Sequence, residues 1–230
     1  MKQNFPIWVL ACLLLLIGLA LALALAQETK PVAEVKQGQL IALPAPDTQG
    51  TMPLETALMK RRSVRAYSDQ GLTLAQVGQL VWAAQGITEP NRGLRTAPSA
   101  MAMYPLKVYV IVKTTEELTP GVWRYVPVSH SLERVRGALS TEETARALPQ
   151  GAMRQAPVVV AITGDLSIIG QRVPDRALEW TAIEVGHVAQ NVLLEAVALG
   201  LASVPTEGVD HDADRKSTRL NSRHVSKSRM

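Results

Sequence analysis

Hydrophobic and polar residues recur along this chain in patterns that assign most of its elements. Ile7 to Leu25 is almost wholly aliphatic, with Lys2 ahead of it and Ala24-Leu25-Ala26 behind it. That is the layout of an export signal cleaved before Gln27, and the run is also long enough to stay as a membrane anchor. From Gln27 to Gly50, Pro31, Pro44 and Pro46 stand among polar and small residues, predicting a tether or extended arm. Thr51 is expected to cap a helix that opens with Met52-Pro53 and carries Leu54, Ala57 and Leu58 on to Arg61. Ser68-Asp69-Gln70-Gly71 is a turn. Thr73 then caps a second helix, with Leu74, Val77, Leu80, Val81 and Ala84 on one face and Gly86 as its stop. Ile87 to Met103, interrupted by Pro90, Gly93 and Pro98, shows no period and predicts a long irregular loop.

Leu106 to Val112 alternates as a strand, and Gly121 to Val126 is a second strand, with a turn expected over Ser129 to Leu132. Ser140 to Leu148 predicts a helix. Pro157 to Thr163 is all aliphatic but for its last residue, the pattern of a strand covered on both faces. Arg176 to Leu199 is the longest helical pattern, with Trp180, Ile183, His187, Val188, Asn191, Leu194 and Val197 on one stripe. Gly200 ends it, and Leu201 to Val204 predicts a short strand leading into Pro205-Thr206-Glu207-Gly208. Helices and strands neither alternate strictly nor segregate, so the fold class is α+β.

Composition sharpens this picture in two places. The 230 residues, 47% of them hydrophobic, suffice for one sizeable core. The net charge of +4 is concentrated at the C-terminus, where the last sixteen residues hold six basic side chains and no acid. Residues 27–214 carry seventeen basic against all twenty acidic side chains, a net of −3. A mildly acidic body with 4% aromatic residues argues against nucleic-acid binding. The single cysteine, Cys12, lies in the leader, so a cleaved chain has no thiol for disulfides, thiolate catalysis or metal ligation. No twin arginine precedes the aliphatic run, so export would be of an unfolded chain.

The densest chemistry is Arg61-Arg62-Ser63-Val64-Arg65-Ala66-Tyr67. Guanidinium groups bind phosphate oxygens in bidentate fashion and a serine hydroxyl can donate to another oxygen. In an extended segment Arg61, Ser63 and Arg65 share one face and could converge on one anion, while Val64 and Tyr67 pack inward. The plainer alternative is a basic helix end complementing the macrodipole. His187 reads as a packed or interface residue, not a ligand. Asp210-His211-Asp212-Ala213-Asp214 has a spacing that suits no standard metal site, so no metal is expected.

Taken with Thr96-Ala97-Pro98-Ser99-Ala100 and Pro205-Thr206-Glu207-Gly208, the arginine segment resembles the layout of the nitroreductase family of FMN-dependent oxidoreductases. Arg95 to Tyr109, and Gly121-Val122-Trp123-Arg124-Tyr125 followed by His130-Ser131-Leu132, are most similar to its SagB-type dehydrogenase branch. Glu184 to Asn191 through Gly200-Leu201 resembles the family's long central helix. The likeness spans about Thr51 to Asp212. It implies a mixed central sheet flanked by helices, a long helix at a homodimer interface where Gly186 and Ala189 allow close packing, and FMN as cofactor. By position it implies that Arg61, Arg62, Ser63 and Arg65 hold the phosphate and ribityl chain. Pro98, Ser99 and Ala100 would reach the cofactor from the partner subunit, and Glu207 and Gly208 would lie beside the ring. The implied reaction is ping-pong hydride transfer through flavin N5 to an electron-poor small molecule, with no enzymic catalytic residue. SagB-like oxidation of peptide azolines, or a non-catalytic envelope scaffold, are the alternatives.

After Asp212 the resemblance ends. Residues 213–230 show no apolar period and resemble a translated adapter sequence, so they are read as a non-native or disordered tail replacing the family's last helix and strand. Export also predicts that NAD(P)H gives way to another electron donor, such as a membrane quinone-like partner, since nicotinamides are scarce outside the cytoplasm.

Overall fold

The structure is a computed structural model that describes residues 35–206. The leader, the tail, Glu207, Gly208 and the Asp210–Asp214 cluster lie outside the described residues. No helix among the described residues is long and apolar enough to cross a membrane.

The centre is a five-stranded sheet built from β1 (Leu40–Ala42), β4 (Leu106–Val112), β5 (Gly121–Val126), β6 (Ser131–Gly137) and β7 (Val158–Gly164), in the order β1-β6-β5-β4-β7. Every pairing in it is antiparallel. Two further strands, β2 (Ile87–Glu89) and β3 (Leu94–Arg95), form a separate hairpin. The helices are α1 (Leu54–Lys60), α2 (Leu74–Gln85), α3 (Thr141–Ala147), α4 (Gly151–Gln155), α5 (Leu166–Gly170) and α6 (Ala177–Ala198). This is the α+β class that the sequence pattern predicts.

β4 is buried except at Lys107 because both of its faces are apolar. With a period of two, Val108, Val110 and Val112 join one core with Val77, Val81, Trp123, Leu132 and Val188, beneath α2 and α6. Tyr109 and Ile111 join the opposite core with Val122, Ala147, Leu148 and Met153, beneath α3 and α4. The sheet therefore has a layer of helices on each face.

Local chemistry sets the helix ends. At α2 the Thr73 hydroxyl accepts from the Gln76 N–H while the Gln76 side-chain Oε1 accepts from the Thr73 N–H, a reciprocal cap. Gly86 closes that helix, and a Cβ there would lie 2.2 Å from Trp82 Cδ1. At α6, Gly200 takes φ +71° while the Leu201 N–H donates to Ala196 O at 2.7 Å and the Gly200 N–H to Val197 O at 3.0 Å. Thr51 does not cap α1. That helix starts one residue after Pro53, whose carbonyl accepts from the Thr56 and Ala57 N–H groups.

Several other expectations are corrected. The span Ile87–Met103 is not wholly irregular: Pro90 to Gly93, the glycine at φ +65°, closes the β2–β3 hairpin. The turn after β5 falls on Pro127 to His130, and Ser131 and Leu132 already belong to β6. Its last residue, His130, sits at φ +42°, donates from Nε2 to Pro44 O and accepts from Tyr125 Oη, each at 2.9 Å. Together with β1 and the bond from Arg134 to Val35 O, this ties the proline-containing arm to the sheet. β7 is not covered on both faces. Among the described residues it is one of the two edge strands, and it is only half-buried because a large groove runs along it.

Leu201 to Val204 forms no strand. The buried stripe of α6 is Ala177, Thr181, Glu184, Val188 and Ala196. Ile183 is 52% exposed, and His187 is also exposed. Apolar residues occur all round this helix, so hydrophobicity alone does not single out the face that packs. A Cβ at Gly186 would meet nothing within 4 Å in the chain.

Candidate functional site

α1 ends at Lys60, and the Arg61 N–H makes the last helical bond, to Ala57 O at 2.9 Å. The chain then runs extended through Ser63, Val64 and Arg65. The Val64 N–H donates to Ser203 O at 2.9 Å, so the arginine segment lies beside the chain that leaves α6. Pro205 and Thr206, the last described residues before Glu207 and Gly208, follow directly.

Ala66, Tyr67 and Ser68 line the groove mentioned above, a cavity of about 1020 Å³ whose other walls are β7, α6 and Leu201–Thr206. Its walls are mainly aliphatic, and its size matches pockets that take small organic ligands. Among its lining residues, Ser203 keeps its Oγ buried with no hydrogen-bond partner among the described residues. Burial also raises the Tyr67 phenol, against the pull of the nearby Arg65.

The four basic and hydroxyl side chains are not equivalent. Arg62 Nη1 donates to Met59 O at 2.9 Å and to Arg61 O at 2.7 Å, so it caps the C-terminus of α1. No ion pair joins Arg61 or Arg65 to a carboxylate among the described residues, and Ser63 and Arg65 are exposed. The inward packing expected of Val64 does not occur, since its side chain is 39% exposed. Of the two, it is Tyr67 that lines the groove.

Pro98, Ser99 and Ala100 lie elsewhere. With Trp180, Ile183, Glu184 and His187 they line a second cavity of about 350 Å³. Glu184 and the Ser203 end of the chain are separated by most of α6, roughly 20 Å at 1.5 Å per residue. One chain therefore does not bring Pro98–Ala100 to the arginine segment.

The stretch that follows Ala100 is strained. Met101, Ala102 and Tyr104 take φ values of +54°, +53° and +48°, the left-handed region that side chains disfavour. The Tyr104 N–H donates to Ser99 Oγ at 2.8 Å. The Arg95 guanidinium stacks 4.2 Å from the Tyr104 ring centroid and donates to Gln85 Oε1 at 2.5 Å. Burial lowers the Arg95 pKa, while Tyr104, Glu184 and Tyr125 oppose that shift.

Glu184 is 2% exposed. Ser99 and the Ala100 N–H favour its charged form, yet neither carboxyl oxygen receives a hydrogen bond of standard geometry. Sequence reading left Ser203 and Glu184 without roles. Glu184 had one visible signal, a carboxylate at i±4 from Trp180 and Val188 on a helix. Ser203 had none. No group of side chains suited to a metal ion occurs among the described residues.

Comparison with known proteins agrees with this architecture. The model of the Nitroreductase family matches residues 58–225, past Asp212 where the motif-based resemblance ends. A protein of Methanocaldococcus jannaschii assigned as a nitroreductase is 38% identical over 172 residues, covering 73% of this chain and 84% of that protein. A crystal structure from Ralstonia eutropha, assigned likewise, superposes with a TM-score of 0.71 at 29% identity, over 84% of this chain and 88% of its own. One from Anabaena variabilis gives 0.59 at 26% identity, over 70% and 34%. The Escherichia coli microcin synthetase McbBCD complex gives 0.57 at 19% identity, over 85% and 75%, a likeness of fold alone.

Proposed function

This chain belongs to the nitroreductase family, and we propose that it is an FMN-dependent oxidoreductase whose cofactor binds at the groove beside Val64 and Ser203. The observation that carries this reading is the Val64–Ser203 bond. It sets a cationic segment, in which Arg61 and Arg65 form no ion pair among the described residues, beside the chain that lines a mainly aliphatic cavity of about 1020 Å³, where the buried Ser203 Oγ has no partner among the described residues. An anionic tail and a flat apolar ring system need those two environments side by side.

In this reading Arg61, Ser63 and Arg65 hold the phosphate, with Arg62 contributing less because its guanidinium caps α1. Ser203 offers a hydroxyl to the ribityl chain, and Glu207 and Gly208 continue from Thr206 beside the ring. When bound, FMN supplies hydride transfer from a donor to an electron-poor acceptor, each taken in turn. The chain contributes orientation, cationic stabilisation of the reduced cofactor and a groove that excludes water. Pro98, Ser99 and Ala100, far along α6, would act on the cofactor of a partner subunit in a homodimer. Export, or anchoring through residues 7–26, belongs to the same proposal and is tested by fractionating cells with and without those residues.

Purified full-length chain mixed with FMN should retain a flavin absorption band and quench flavin fluorescence. A colourless protein would overturn the reading in favour of a scaffold. A chain that binds FMN, whose oxidised flavin is reduced by azoline peptides and whose reduced flavin is not reoxidised by nitroaromatic acceptors, would favour the SagB-like activity suggested by Arg95 to Tyr109.

A further inference from the structure

Three non-glycine residues within four positions hold left-handed backbone at Met101, Ala102 and Tyr104. Such strain persists only where the surroundings over-determine it. Two props are visible above the sheet. Tyr104 is clamped by Arg95 stacked on its ring and by its own N–H donating to Ser99 Oγ. Beneath the start of the loop, Glu184 is buried against Ser99 and Ala100 and lines the same small cavity as Pro98 and Trp180.

A carboxyl group taken wholly out of water without a well-formed hydrogen bond is costly, and stays there only if the fold uses it. We infer that Glu184 is a positioning residue. Its carboxyl props the Ser99–Ala100 end of the loop and keeps Met101 to Tyr104 in the strained form. The inference rests on the flavin reading only for what the loop then touches; the propping itself is a property of the chain.

The prop has a pH signature. The groups facing Glu184 are Ser99 and Ala100 from the loop, Arg95 from the β2–β3 hairpin, and His187 from its own helix. Tyr104 and Tyr125 face Arg95 in turn. Burial raises the carboxyl pKa above the usual range. An opened loop wets the group and returns it to that range, so the closed loop binds the proton more tightly. Closure is therefore favoured at low pH and weakens as pH rises through the raised pKa.

Amide hydrogen exchange across residues 99–104 of the full chain, corrected for intrinsic rates and followed upward in pH from the ordinary carboxylate range, tests this directly. Wild-type protection should fall as pH rises. Glu184→Gln, which imitates the protonated carboxyl, should be protected throughout with no such fall. Glu184→Ala should exchange faster than Glu184→Gln at every pH, because it removes the side chain that fills the space beneath Ser99 and Ala100. His187→Gln should keep the wild-type slope. An unchanged slope in Glu184→Gln, or its loss in His187→Gln, would overturn the inference; should Glu184→Ala fail to fold, the other two variants decide. None of these readings needs flavin. A chain that binds no FMN but shows this pattern would sink the proposed function and leave the prop standing.

Discussion

The Val64 N–H donates to the carbonyl of Ser203 at 2.9 Å, across 139 residues of chain. Through that bond the basic segment after α1 lies beside the exit from α6, whose Leu201–Thr206 line the large groove together with Ala66, Tyr67 and Ser68. Arg61→Ala and Arg65→Ala should each weaken FMN binding roughly ten- to a hundredfold, the worth of a charge-assisted hydrogen bond. Arg62→Ala should weaken it about threefold or less, because that guanidinium is held by Met59 O and Arg61 O. Titration by flavin fluorescence quenching checks the ranking, and an Arg62 effect equal to the other two would contradict it.

Gly200→Ala places a side chain at φ +71°, where the cost is roughly 1–2 kcal/mol. Thermal unfolding should shift down by about 2–8 °C for a chain of this size. Because the glycine turns the chain toward Ser203, FMN affinity should fall as well. A variant with unchanged affinity would show that Leu201 to Thr206 finds its place independently of the helix stop.

Met101→Gly should have the opposite sign. Met101 sits at φ +54° with its side chain 51% exposed, so little packing is lost and the left-handed strain is removed. Set against the greater freedom of glycine in the unfolded chain, the net gain is about 0.5–1 kcal/mol. Urea unfolding measures it, and a destabilised variant would mean that the methionine side chain holds the loop.

Glu143 provides a defined acid-side prediction. The Ser140 N–H and the Arg136 guanidinium pull its carboxyl down to about 2. A depressed carboxyl stabilises the fold above its ordinary range, and that contribution fades as pH falls toward about 2. In Glu143→Gln, the urea midpoint should decline less steeply over that interval than in wild type. Parallel curves would show that the cap and the ion pair are not formed in solution.

The elements with strong local chemistry were legible in the sequence. Thr73, Ser140 and Gly200 mark helix ends by capping and left-handed backbone, and β4 and β5 follow from alternation. Tertiary partners were not. Which stripe of α6 faces inward depends on Asn191 reaching Ala83 O and Thr96 O across about a hundred residues. The edge position of β7 could not be read from an aliphatic run that suits a central strand equally well. At the site, the arginine segment was conspicuous by composition. The division of labour inside it was not, because Arg62 is spent on carbonyls of its own helix. Glu184 was hidden for a similar reason, since a carboxylate amid apolar residues reveals its burial only once the loop is laid over it.

The length of α6 is what the proposed two-chain site rests on. Pro98–Ala100 pack at Glu184 and His187 while Ser203 follows the far end of the helix, so in the proposed site the loop and the arginine segment that grip one ligand come from two chains. Two such helices laid head to tail would assemble a pair of composite sites at once. Turnover per chain should then collapse on dilution below the dimer dissociation constant, and an equimolar, freely exchanged mixture of an arginine-deficient and a loop-deficient copy should recover about a quarter of wild-type turnover, since half of the dimers are mixed and each of those has one intact site.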